Sequence, residues 1–149
     1  MNRIVIRTTL AMFLTVLVSG AAAAADDAPR CSAGTLHGRY VFSASGFTTV
    51  GGVTVPKAII EVIDFHGDGT LAVPGATRSL NGVITRSLPS VGTYTVTEDC
   101  VGTITFAGPT FDIFISPRGS QFWLIQTNPD NVFQGSARRT FGERGDRDR

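Results

Sequence analysis

The stretch Gly92-Thr-Tyr-Thr-Val-Thr-Glu-Asp-Cys-Val-Gly-Thr-Ile-Thr-Phe106 decides the fold class. It contains two segments that alternate with period two. Tyr94 and Val96 share one face, with Thr93, Thr95 and Thr97 on the other. Beyond Glu98-Asp99-Cys100, Ile104 and Phe106 share one face and Thr103 and Thr105 the other. Alternation of this kind in β-branched and aromatic residues describes a half-buried antiparallel hairpin, here with a cysteine at its tip.

Outward from this hairpin the pattern repeats. Gly, Pro, Asn and Asp recur between apolar or alternating runs, and no helical period interrupts them. Eight strands are predicted. Arg39 to Phe47 is the first, with Tyr40 and Phe42 on one face. Lys57 to Phe65 is the second and is nearly continuous in apolar residues. After His66-Gly67-Asp68-Gly69 comes Thr70 to about Leu80, with a bulge or kink at Pro74-Gly75. The opening hairpin supplies two more, followed by Phe111 to Ser116, Gln121 to Thr127 and Val132 to Arg139. Short strands joined by short turns make a meander, and eight of them close into an antiparallel β-barrel without exposed edges. An open sheet or a β-sandwich is the alternative.

Compartment is read from the ends of the chain and from its cysteines. Residues 1–25 carry Arg3 and Arg7, then an apolar run from Thr8 to Gly20, then the small residues Ala21 to Ala25. This is the pattern of a secretory signal peptide, and the apolar run is short of the ~20 residues of a spanning helix. The domain is therefore placed at 26–139, with an Arg-Gly-Asp-rich, disordered tail over 140–149. Cys31 and Cys100 are the only cysteines. An even count in an exported chain reads as one disulfide, worth about 4 kcal/mol for a loop of this length in the chain-entropy model. The expected location is periplasmic or extracellular. Without Arg3 and Arg7, eleven of the thirteen basic residues remain against twelve acidic ones. That near-neutral balance argues against nucleic acid as a partner. No span is expected after signal cleavage.

The meander has a parity. If the first strand starts at the bottom of the barrel, Cys31 and the turn carrying Cys100 fall at the same end, and Arg30 to His37 caps that end. The longest connections, Thr48 to Pro56 and Asn81 to Val91, fall at the top, where a pocket is expected. A tight turn at Asn81-Gly82 would add a strand and break this parity.

Chemistry is sparsely marked. Asp64, His66 and Asp68 are spaced like the first ligands of a calcium loop, but imidazole suits calcium poorly and Gly75 stands where a Glu is needed, so the segment reads as a turn. His37 and His66 are the only histidines; with no third ligand, no metal is assigned. No cofactor motif is present. Glu61 and Asp112 lie within apolar strands and are the catalytic candidates: pointed inward, either would have a raised pKa suited to acid–base work. Alternation also lets both point outward into water, the commoner outcome for carboxylates. Arg39 and Arg138 or Arg139 lie in strands that become neighbours on closure. Tyr40, Phe42, Trp123, Arg39 and Arg138 are the candidate binding residues.

Several motifs resemble those of a broad group of small exported bacterial proteins of unknown function. These are Leu36-x-Gly38-x-Tyr40-x-Phe42, Phe65-x-Gly67-x-Gly69, Ser79-x-Asn81-Gly82, Gly92-Thr-Tyr-Thr-Val96 with Asp99-Cys100-x-Gly102-Thr103, and Ile125-Gln-Thr127 followed by Gly135. They span most of residues 31–139. The resemblance implies a compact exported β-domain and transfers no site residue. A remoter architectural similarity is to allene oxide cyclase-type and lipocalin-type barrels, and architecture does not specify function. Three functions follow as expectations. The first is a module binding a small apolar molecule. The second is an isomerase or cyclase using Glu61 or Asp112. The third is a structural or surface-interaction protein with a solid core.

Overall fold

The computed structural model describes residues 30–140. The signal peptide assigned to residues 1–25 and the tail from 141 onward lie outside the described residues. A short 3-10 helix, Ala33–Thr35, precedes nine strands: β1 His37–Val50, β2 Val53–His66, β3 Thr70–Leu80, β4 Val83–Ser87, β5 Ser90–Val96, β6 Val101–Thr105, β7 Thr110–Ile115, β8 Gln121–Gln126 and β9 Asn131–Arg139. All pairings are antiparallel. The order β2-β1-β9-β8-β7-β6-β5-β3 closes through a β2–β3 pairing, so eight strands form the barrel, and β4 is an extra strand on β3. The opening hairpin is β5–β6, with Tyr94 opposite Ile104.

The two long connections expected at the top are not loops. β1 and β2 continue to Val50 and Val53 and turn through Gly51-Gly52, both at positive φ. β3 and β4 turn through Asn81-Gly82, again both at positive φ. Left-handed residues at both central positions are what a two-residue hairpin with the right twist requires. The added strand nonetheless leaves the parity intact. β4 pairs with the upper part of β3, Ala76 to Leu80, and β5 with the lower part, Thr70 to Val73. β2 occupies the other edge of β3, so β4 and β5 descend along the same edge in the same direction, interrupted at Leu88-Pro89. Opposite that break, two steps along β2, Val62 to Asp64, span three steps along β3, Gly75 to Ala72. This is the bulge expected at Pro74-Gly75, and it switches which β3 residues face inward.

The lower half of the barrel is solid. Tyr40, Phe65, Tyr94 and Phe122 pack at ring separations of 4.9–5.6 Å, mostly edge to face. Leu36, Ile63, Leu71, Ile104 and Ile113 are essentially inaccessible around them. The segment before β1 covers this end, as expected. The Tyr94 hydroxyl lies 2.9 Å from the Ala33 carbonyl and 3.0 Å from that of Leu36. Cys31 and Cys100 are disulfide-bonded with Cα atoms 5.0 Å apart, tying the cap to the β5–β6 turn. Among the described residues no helix is long and apolar enough to cross a membrane.

Candidate functional site

The upper half of the barrel is open. Here the inward positions of β1, β7 and β9 are Phe42, Phe111 and Phe133, all buried, and they form an aromatic floor. Above it is a cavity of about 440 Å³ at the barrel mouth, walled by Ile59 and Glu61 of β2, Arg78 of β3, Ser90 and Val91 of β5 and the Phe106–Pro109 turn. On β1 and β9 the inward positions between the Phe42 and Phe133 rings are small, because Ala44 is paired with Gly135, and Phe133 itself stands opposite Gly46. The top was the end at which a pocket was expected, although tight hairpins and not long loops frame it.

Glu61 points inward, contrary to the orientation favoured from sequence. The β1–β2 register places it directly opposite Phe42, and cross-strand partners share a face. The same inward lane continues through Ile59, Ile63 and Phe65. Burial pushes the Glu61 carboxyl up to about 7, because the apolar surroundings disfavour its charged form. No described side chain forms a hydrogen bond or ion pair with it.

The one lysine, Lys57, stands two inward positions above Glu61. Its Nζ donates to Gln126 Oε1 at 3.0 Å and lies 4.2 Å from the centre of the Phe133 ring. Burial lowers its pKa, and the nearby Arg78 guanidinium lowers it further. Gln126 in turn donates to Asn128 Oδ1 at 3.1 Å, and the same oxygen accepts the Thr110 backbone N–H at 2.7 Å. Asn128 Nδ2 reaches the Gly108 carbonyl at 3.2 Å. The chain of bonds from Lys57 through Gln126 and Asn128 thus fixes the Phe106–Pro109 wall. Sequence reasoning passed over Lys57, Arg78 and Gln126. The only available signals were a lone lysine in an apolar strand and a glutamine on the same alternating face as Phe122 and Leu124.

The remaining candidates are dispersed. Asp112 is exposed on the outer wall between the buried Phe111 and Ile113, which removes it from any interior chemistry. Arg39 is also outside and forms a bidentate pair with Asp64, at 2.8 and 2.9 Å. That partner holds the Asp64 carboxyl low. Arg138 is exposed on β9; it is Arg139 that turns in, at the closed end, donating to the Tyr40 hydroxyl from Nε at 3.1 Å and from Nη2 at 2.9 Å. Tyr40 therefore belongs to the sealed end and not to the mouth; its hydroxyl also donates to the Gly119 carbonyl. Of the binding candidates only Phe42 lines the mouth cavity. Trp123 is half-exposed on the outer wall, beside a more open hollow of about 550 Å³ lined by small residues such as Ser43, Gly135 and Ser136.

At the closed end His37 and His66 are cross-strand partners, bonded to the Gly34 carbonyl and the Thr70 hydroxyl respectively. Asp68 Oδ1 accepts the Thr70 backbone N–H at 2.9 Å and its hydroxyl at 2.7 Å. These bonds, with the Arg39–Asp64 pair, use the would-be calcium ligands as turn-forming groups. Compared with protein-family models, curated proteins and solved structures, the chain matches none of them.

Proposed function

We propose that this protein is a binding module that holds a small, largely apolar molecule in the mouth of its barrel. The observation that carries this reading is the cavity of about 440 Å³ above Phe42, Phe111 and Phe133. A concave, mostly apolar site with a few convergent polar groups is the usual form of a small-molecule pocket. Glu61 on the wall and Lys57 and Arg78 toward the rim supply those groups. The resemblance of residues 31–139 to small exported β-proteins fits a periplasmic or extracellular carrier and names no ligand. A solid structural barrel draws support only from the lower half.

Binding is tested with a naphthalene sulfonate fluorophore, whose emission rises in apolar sites. The folded protein should bind it stoichiometrically. Ser90→Trp, which places a large ring in the cavity from an exposed rim position, should abolish the signal while leaving the melting temperature in place. Equal binding by both proteins would overturn the reading. Native mass spectrometry of protein purified from its own host then reports the natural occupant as a mass lost on denaturation.

A second reading, an isomerase- or cyclase-type enzyme, is favoured by one observation: Glu61 lines the cavity unpaired, with its pKa near neutrality. A carboxyl in that state donates or accepts a proton at working pH. Once an occupant is known, Glu61→Gln should retain binding and lose turnover; turnover retained by Glu61→Gln would sink this reading.

A further inference from the structure

Exposed apolar side chains are concentrated at one end of the barrel. Of the thirteen large hydrophobic residues that are exposed among the described residues, eight lie toward the mouth end: Phe47, Val50, Val53, Val83, Ile84, Leu88, Val91 and Val132. They come from the β1–β2 tip, the β3–β4 tip, the Leu88-Pro89 break with the start of β5, and the start of β9. Leu88 is 85% exposed, and Val91, 76% exposed, lines the cavity itself. The exposed cations toward this end are Arg78 at the cavity and Arg86, which lines an outer-wall hollow with Val41 and Ile60, while Lys57 is bonded inside the cavity; against them stand Asp130 in the β8–β9 turn, Asp112 lower on the outer wall and Glu61 inside. The opposite end is polar: the Arg39–Asp64 pair, the Arg30–Glu98 pair, His37, His66 and Asp68 are all there.

We infer that the mouth end docks on an anionic lipid bilayer surface, with the apolar crown entering the headgroup region and the rim cations facing lipid phosphates. The inference rests on the binding reading above, because the crown encircles the cavity through which an apolar occupant must pass. Apolar residues carried on a basic rim are the two components of peripheral membrane attachment. A second copy of the chain fits the crown less well. Mouth-to-mouth contact about a two-fold axis would set Arg78 and Arg86 against the same two cations.

The test is cosedimentation of the chain from Asp26 onward, which contains the whole barrel, with vesicles of phosphatidylcholine and phosphatidylglycerol in equal parts. The protein should pellet with these vesicles and far less with phosphatidylcholine alone. Val53→Ser combined with Leu88→Ser, both at exposed positions, should weaken vesicle binding by more than about tenfold. Arg86→Gln, outside the cavity, should weaken it about fivefold. Both variants should bind the naphthalene sulfonate as the parent does. Absence of vesicle binding, or binding unchanged in the variants, overturns the inference while leaving the cavity reading to its own test. A dimer in solution that Val53→Ser with Leu88→Ser dissociates would assign the crown to a second copy and likewise overturn it. Vesicle binding by a protein that takes up no fluorophore supports the docking surface and removes the ligand reading.

Discussion

Phe42 and Glu61 stand opposite each other across the β1–β2 pair, so a carboxyl shares the inner face with the aromatic floor of the mouth cavity. With no partner to offset desolvation, its proton is retained to about pH 7.

Stability should therefore depend on pH in a defined direction. In the unfolded chain Glu61 titrates near the ordinary 4.5, and in the fold near 7. Between these values the folded state binds the extra proton, so stability is full below the lower value and declines as pH rises through the upper one. The loss is on the order of 2–3 kcal/mol. Asp64, whose pKa is depressed by Arg39, contributes in the opposite sense and only at more acid pH. Denaturation curves from pH 4.5 to 8 for the parent and for Glu61→Gln should diverge by this amount; parallel curves would show Glu61 in water.

Reduction of Cys31–Cys100 should cost about 4 kcal/mol of stability, because a crosslink separated by 69 residues restricts the unfolded chain. The bond lies at the closed end, so fluorophore affinity at the mouth should survive reduction under conditions where the fold persists. Urea unfolding with and without reductant measures the first, and fluorescence titration the second. A reduced protein of unchanged midpoint would contradict the argument.

Tyr40 and Arg139 should behave as one unit. Tyr40→Phe leaves the Arg139 guanidinium and the Gly119 carbonyl without their shared hydroxyl at a buried site, at a cost of about 1–3 kcal/mol. Arg139→Gln should cost a similar amount. The double variant should lose clearly less than the sum of the two. Additive losses in a double-mutant cycle would show that the contacts are independent.

Trp123 reports on the outside of the barrel. Its emission should be that of a solvated indole, and Trp123→Ala should leave fluorophore affinity at the mouth within experimental error, since the side chain is half-exposed on the outer wall. A severalfold loss of affinity would place the bound molecule in the hollow beside Ser43 and Ser136.

By itself the chain's pattern determined the all-β class, the eight-stranded closure, the Cys31–Cys100 bond, the bulge at Pro74-Gly75 and the end at which the barrel opens. These follow from local rules: period-two alternation, turn chemistry and the parity of a meander. The extended β1–β2 and β3–β4 hairpins were less legible, because Gly51-Gly52 and Asn81-Gly82 serve equally in a loop and in a two-residue turn. Only the tertiary structure decided the orientation of Glu61. Its neighbours Ile60 and Val62 are as apolar as Ile59 and Ile63, so alternation within β2 left the inner face unmarked; the register against Phe42 of β1 identified it. The same register logic sent Asp112, Arg39, Arg138 and Trp123 outward and gathered Lys57, Arg78 and Gln126 toward the mouth. Pairing across strands assigns these faces by long-range hydrogen bonding, and no single segment contains that information.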